Sequence, residues 1–177
     1  VAISSSGITT AIASHIDETQ TDPLAALDIG TVSRLQTAVF DDSGHQRTES
    51  RTYFAIPSSL PGTEGTHYDA TRYAYDTSNR MIRTKTPDGT ITRTSFDTKA
   101  RPYRTHVGTN DNGETAGESS GTNDMTLVAE TVYDDATNRV TSTRQFYGTG
   151  GSDYRTTEYL YDAEGRRVVT KPPSSPI

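Results

Sequence analysis

An aromatic residue, an Asp and, four positions after the Asp, an Arg recur along the 177-residue chain, and this grouping is the one best placed to do chemistry. The copies are Tyr75-Asp76 with Arg80, Phe96-Asp97 with Arg101, Tyr133-Asp134 with Arg139 (one residue longer) and Tyr161-Asp162 with Gly165-Arg166. A degenerate copy runs from Phe40-Asp41 to Gln46-Arg47. A carboxylate beside a guanidinium can form an ion pair, but an exposed pair contributes only about 0–1 kcal/mol. An Asp at a strand end can instead accept backbone N–H groups and close a turn. Aromatic faces flanked by Arg and Asp can also hold a sugar ring by stacking and hydrogen bonds. That makes Tyr73, Tyr75, Tyr159 and Tyr161 the candidate ligand-stacking residues. The turn clamp is the favoured reading of the Asp/Arg pair. Packing across strands is the favoured reading of the tyrosines, because an anchor repeated in every unit is what stacked units require.

Other chemistry is thinly provided for. His15, His45, His67 and His106 have no ligand spacing, and read as polar surface or turn residues. The chain has no Cys, which excludes disulfides and thiolate sites. Ser, His and Asp all occur, but no Gly-x-Ser-x-Gly elbow does, and triads are defined by geometry. Asn110-Asp111-Asn112-Gly113-Glu114 resembles part of a calcium loop. The full pattern needs an acid five positions before the Gly, where Gly108 stands, so a solvated acidic loop is the better reading. The Gly-rich run 148–151 lacks the Lys-Ser/Thr of a phosphate loop and reads as a turn. No catalytic, metal or cofactor-binding residue is assigned, and the chain is expected not to be an enzyme.

The elements that must carry these residues are strands. Tyr73-Ala74-Tyr75, Thr94-Ser95-Phe96, Thr131-Val132-Tyr133 and Tyr159-Leu160-Tyr161 alternate with period two, which puts Tyr73 with Tyr75, and Tyr159 with Tyr161, on one sheet face. Asn79, Asn138 and Gly165 stand where a turn calls for a left-handed residue. Arg then opens a returning strand such as Met81-Ile82, Val140-Thr141 or Val168-Val169. Each unit therefore reads as a β-hairpin. A helical salt-bridge pair at the same spacing is rejected: the flanks alternate and Gly or Asn sits between the charges. Thr86-Pro87-Asp88-Gly89-Thr90 predicts a tight turn joining two further strands. The aromatic anchors are 35, 21, 37 and 28 residues apart; the shortest step looks like the bare unit and the longer ones carry loops, 108–124 being a long polar one.

Composition supports a thin sheet. The hydrophobic share is 31%, below the roughly 45–50% usual for globular domains. Thr, with 31 copies, and Tyr, with 10, suit half-exposed pleated surfaces. The net charge of −6 argues against nucleic-acid binding, and no apolar run approaches the roughly 20 residues of a membrane span. Residues 1–30 read as an irregular segment or a degenerate repeat, with one helical turn at 22–27, residues 31–171 as hairpin repeats, and 172–177 as a Pro/Ser-rich tail. Val1 in place of Met, and the linker-like ending, read as a piece of a longer chain.

Tyr73-Ala74-Tyr75-Asp76 through Arg80, then Pro87-Asp88-Gly89 and Phe96-Asp97 at a 21-residue step, with Tyr159-Leu160-Tyr161-Asp162 and Gly165-Arg166, resemble the YD repeat of Rhs proteins. The resemblance covers roughly 31–171 and is strongest at 66–107. It implies an all-β fold in which hairpins stack into a twisted antiparallel sheet, part of a spiral shell or strip within a giant bacterial multi-repeat protein. It also implies an extracellular or cell-surface location, and partners that are adjacent repeats of the parent chain, cell-surface glycans or an encapsulated polypeptide. Asn79, Ala100 and Asn138 depart from the usual Gly before Arg. A non-catalytic structural segment is the expected function, with a carbohydrate-binding or adhesion module as the alternative and a hydrolase-type enzyme as the third reading.

Overall fold

The computed structural model describes residues 34–112, 123–147 and 153–173. The expected segment 1–30 with its helical turn, His15, the turn at 148–151 and the tail from 174 onward lie outside the described residues. Among the described residues every regular element is a strand: β1 (Gln36–Phe40), β2 (Arg47–Tyr53), β3 (Tyr68–Tyr75), β4 (Met81–Lys85), β5 (Ile91–Phe96), β6 (Pro102–Gly108), β7 (Thr126–Tyr133), β8 (Val140–Phe146), β9 (Tyr154–Tyr161) and β10 (Arg167–Lys171). The fold is all-β and antiparallel. Two compact bodies form, one around β1–β3 and one holding most of β4 together with β5–β10. In both, chain order is sheet order, as expected of hairpins laid side by side.

The alternation that predicted strands also decides what they bury. In β5, Ile91, Arg93 and Ser95 are buried while Thr92, Thr94 and Phe96 are half-exposed. Four motif hairpins share a further feature. Phe40 pairs with Arg47 but Val39 with Glu49, which leaves Thr48 as an extra residue. The same shift leaves Tyr103, Thr141 and Val168 extra in β6, β8 and β10. A bulge bends its strand and sharpens the local twist. Thr48 and Thr141 fill theirs alike, their hydroxyls donating to the carbonyls of Val39 (3.3 Å) and Val132 (3.2 Å).

The apolar core is small. In the first body Leu35, Tyr53, Tyr68 and Ala70 form it, with Ile56 and Leu60 packed on top. Tyr53 and Tyr68 lie opposite in register, ring centroids 5.1 Å apart. The second body buries Ile91 and Met125 among the polar Arg93, Ser95 and His106. Gly89, at φ +89°, makes the turn foreseen after Pro87-Asp88.

Candidate functional site

The motif turns repeat one hydrogen-bond plan. Asp97 N–H donates to the Arg101 carbonyl (3.0 Å) and Ala100 N–H to the Asp97 carbonyl (2.9 Å). The Asp97 carboxylate accepts the N–H groups of Lys99 and Arg101 (2.9 Å each) and the Arg101 Nε (2.6 Å). Around Asp162 the plan is the same: Arg166 donates from its backbone N–H (2.8 Å) and from Nε (2.7 Å). The longer copies adapt it. Asp134 N–H still reaches the Arg139 carbonyl (2.8 Å), but its carboxylate takes the Thr137 N–H and hydroxyl. Asp41 accepts from His45 and Gln46 N–H and donates its own N–H to the Gln46 carbonyl. The degenerate copy is thereby corrected: Gln46, not Arg47, occupies the place of the motif Arg, because that turn is one residue longer. Asn79, Ala100, Asn138 and Gly165 have φ of 65°, 62°, 58° and 86°. Asn and Gly tolerate that region; for Ala it costs about 1 kcal/mol or more.

The electrostatics follow from these bonds. At Asp97 partial burial pushes the carboxyl up, but the Arg101 N–H, the Arg101 guanidinium and the Lys99 N–H outweigh it and hold the group below the usual carboxylate range. The backbone N–H and guanidinium of Arg166 lower Asp162, and the Thr137 N–H and hydroxyl lower Asp134.

Three of the motif Arg side chains also reach the next hairpin. The guanidinium of Arg80 lies 4.5 Å from the ring centroid of Phe96, that of Arg101 4.5 Å from Tyr133, and that of Arg139 5.5 Å from Tyr161. In return the Tyr hydroxyls donate to the first residue after the preceding turn: Tyr75 to the Arg47 carbonyl (3.1 Å), Tyr133 to Pro102 (2.9 Å) and Tyr161 to Val140 (2.8 Å). The residue before Arg takes part as well. Gln46 donates to Asn79 Oδ1 (2.6 Å) and Arg101 to Asn138 Oδ1 (3.0 Å). Arg139 packs against Gly165, where an added Cβ would collide with its guanidinium. Together these contacts form a seam that joins successive hairpins through one set of positions.

A second series runs through the strand centres. Three residues past the Gln46/Arg position, and three before the next aromatic, stand Glu49 and Arg72, Arg83 and Arg93, Arg104 and Glu130, Ser142 and Glu158. Glu49 pairs with Arg72 (3.0 Å), and Glu130 pairs with both Arg104 (2.9 Å) and Arg144 (2.7 Å). Arg83 and Arg93 are two cations, and Asp111 supplies their acid, 2.6 Å from Arg83 and 2.9 Å from Arg93. The Arg83 hydrogen bond, helped by Arg93 and opposed by burial, lowers the Asp111 carboxyl. The sequence reading of a solvated loop is corrected at Asp111: its carboxylate is half-buried and shared by two guanidinium groups. Its signal was the like-charged pair Arg83/Arg93 between two pairs, Glu49/Arg72 and Arg104/Glu130, that set acid against base. Asp124 ties the same insertion back, accepting the N–H groups of Thr109 and Asn110 (2.7 Å each).

The four candidate stacking residues are half-buried and engaged. Tyr73 lies under Arg47 and Tyr159 under Arg167; Tyr159 also shares a hydrogen bond with Thr143 (3.2 Å). Tyr75 and Tyr161 hold the seam carbonyls. A shallow hollow of about 280 Å³ beside Tyr133 is lined by Asp97, Arg101, Glu130 and Arg144, all paired with one another or their neighbours. His67 Nδ1 accepts the Thr63 N–H (3.0 Å), a turn role. Among the described residues no three His, Asp or Glu side chains gather as metal ligands.

No family model matches the chain, and neither does any curated protein. Solved structures give matches at low similarity. They include a crystal structure of TcdB2-TccC3-Cdc42 (12% identity, TM-score 0.39) and one of TcdB2-TccC3 without its hypervariable C-terminal region (10%, 0.40). Each match covers 78% of this chain, which spans about 8% of those chains. TM-scores of this size do not establish a shared fold.

Proposed function

We propose that the chain is a non-catalytic structural segment of a large secreted or cell-surface bacterial protein of YD/Rhs type, whose partners are adjacent repeats of the same parent. The observation that carries this reading is the seam: motif Arg and Tyr side chains make their contacts to the neighbouring hairpin, as at Arg101–Tyr133 and Arg139–Tyr161. Residues spent on holding repeats together serve a scaffold. Tyr161→Ala should therefore speed amide exchange in β8 as well as in β9 and β10. Faster exchange confined to its own hairpin would count against a repeat scaffold.

A carbohydrate-binding surface is the second reading, favoured at a different place from the one the sequence suggested. Tyr147 and Tyr154 are exposed, with Arg155 5.6 Å from the Tyr147 ring. A glycan array with wild type and Tyr147→Ala decides between the readings. The scaffold reading expects no binding; saturable binding lost in the variant supports the module instead.

A further inference from the structure

Two turns in the second body are built alike and end differently. Asp97 holds Arg101 Nε at 2.6 Å and Asp162 holds Arg166 Nε at 2.7 Å. Yet the Arg101 side chain is 16% exposed and that of Arg166 75%. What covers Arg101 is the next hairpin: the Tyr133 ring, Asn138 Oδ1 at 3.0 Å and Asp135 Oδ1 at 2.7 Å. Among the described residues Arg166 bonds to Asp162 and, at 3.1 Å, to Glu164, both within its own turn. The carbonyls of Arg47, Pro102 and Val140, each the first residue after its turn, accept a Tyr hydroxyl from the following hairpin. The carbonyl of Arg167 is next in that series.

The strand that follows Arg166 is bare to match. All five residues of β10 are exposed, whereas β6 and β8, each followed by another strand, are mostly half-buried. Val168 and Val169 within it, and Leu160 beside it in β9, are exposed apolar side chains. β10 ends the sheet order and pairs with β9, and an edge strand is a template for another chain.

We propose that the β10 edge is a docking site for one more hairpin of the aromatic–Asp…Arg kind, seated with its aromatic ring under Arg166 and, where that residue is Tyr, its hydroxyl on the Arg167 carbonyl. This rests on reading the chain as a repeat segment, and it continues the interface already present at Arg101 and Arg139. A second copy of the chain is the poorer occupant. The strand it would offer, β1, ends in Phe40, which has no hydroxyl for the Arg167 carbonyl, and Gln46 stands where the motif Arg of its turn would be. A hairpin with no aromatic before its Asp would add backbone bonds and leave Arg166 uncovered.

The spacing of the chain allows a direct test. Pro173 follows Arg166 by seven residues, as Phe146 follows Arg139. A copy of residues 147–173 joined after Pro173, in place of 174–177, therefore brings a second Tyr-x-Tyr-Asp to the spacing that separates Arg139 from Tyr161. Amide exchange of β10 is measured in the chain as it stands, in the extended chain, and in an extended chain whose appended counterpart of Tyr161 is Ala. β10 exchange is expected to slow by about tenfold or more in the second, and most of that gain should vanish in the third. Unchanged β10 exchange on extension would overturn the proposal, as would equal slowing with the Ala version. So would slowing with protein concentration alone, since the occupant would then be a second copy. Tyr161→Ala in the unextended chain keeps the two readings apart: faster exchange in β8 preserves the scaffold reading even when extension does nothing.

Discussion

The same aromatic pair occurs twice and meets two fates. Tyr53 faces Tyr68 across β2 and β3, and Phe146 faces Tyr154 across β8 and β9, at the same distance from the motif turns. The centroid separations are 5.1 and 5.3 Å, with ring planes at 49° and 55°. Arg51 stacks on Tyr68 and Arg144 on Tyr154, both at 5.0 Å. Tyr53 and Tyr68 are buried under Leu35, Ile56 and Leu60, and the Tyr53 hydroxyl donates to the Pro61 carbonyl (2.9 Å). Tyr154 is 43% exposed. The strand repeat thus sets the geometry of the pair, while the connection between strands decides whether it becomes a core. Residues 54–67 supply a lid with two prolines and two glycines among its aliphatics; the corresponding connection before Tyr154 is half as long.

That difference should be large in free energy. Tyr68→Ala is expected to cost about 4 kcal/mol in urea unfolding, and Tyr154→Ala about 1 kcal/mol, since only the first leaves a cavity. Equal losses would break the comparison.

Asp111→Asn comes next. It leaves Arg83 and the buried Arg93 without their shared acid, and should cost about 3 kcal/mol. The Asp111 carboxyl is lowered in the fold by Arg83, so its contribution is present in full above the unfolded carboxylate pKa of about 4 and fades as pH falls through the lower folded value. Wild type should therefore lose stability steeply below about pH 4. The Asn variant should show a shallower acid slope, measured as unfolding midpoint against pH. Parallel slopes would contradict the role given to Asp111.

Ala100→Gly is the smallest effect and has the opposite sign. Ala100 is exposed at φ 62°, so Gly should stabilise by about 0.5–1 kcal/mol. Gly165, already at φ 86°, serves as the reference turn. A loss at Ala100 would mean that its methyl group makes contacts not accounted for.

Much of the fold was legible in sequence because period two and turn chemistry are local. The strand pairs around Asp97, Asp134 and Asp162, the left-handed Asn79 and Asn138, and the turn after Pro87 all follow from residues within a few positions. Less legible was everything fixed by neighbours across the sheet. Nothing near Asp111 in sequence announces Arg83 and Arg93, which precede it by 28 and 18 residues. Gln46 takes the place of the motif Arg because one extra turn residue shifts the register, which a pattern search aligned on Arg47 misses. The tyrosines were foreseen as anchors, but not that their hydroxyls would serve the preceding hairpin.

The central claim is that a motif Arg belongs energetically to the next hairpin's aromatic. A double-mutant cycle on Arg101 and Tyr133, with Arg166 and Tyr133 as the distant control, reads this directly. Favourable coupling is predicted for the first pair and none for the second. If the effects of Arg101→Ala and Tyr133→Ala simply add, the seam does not hold the hairpins together and the account is contradicted.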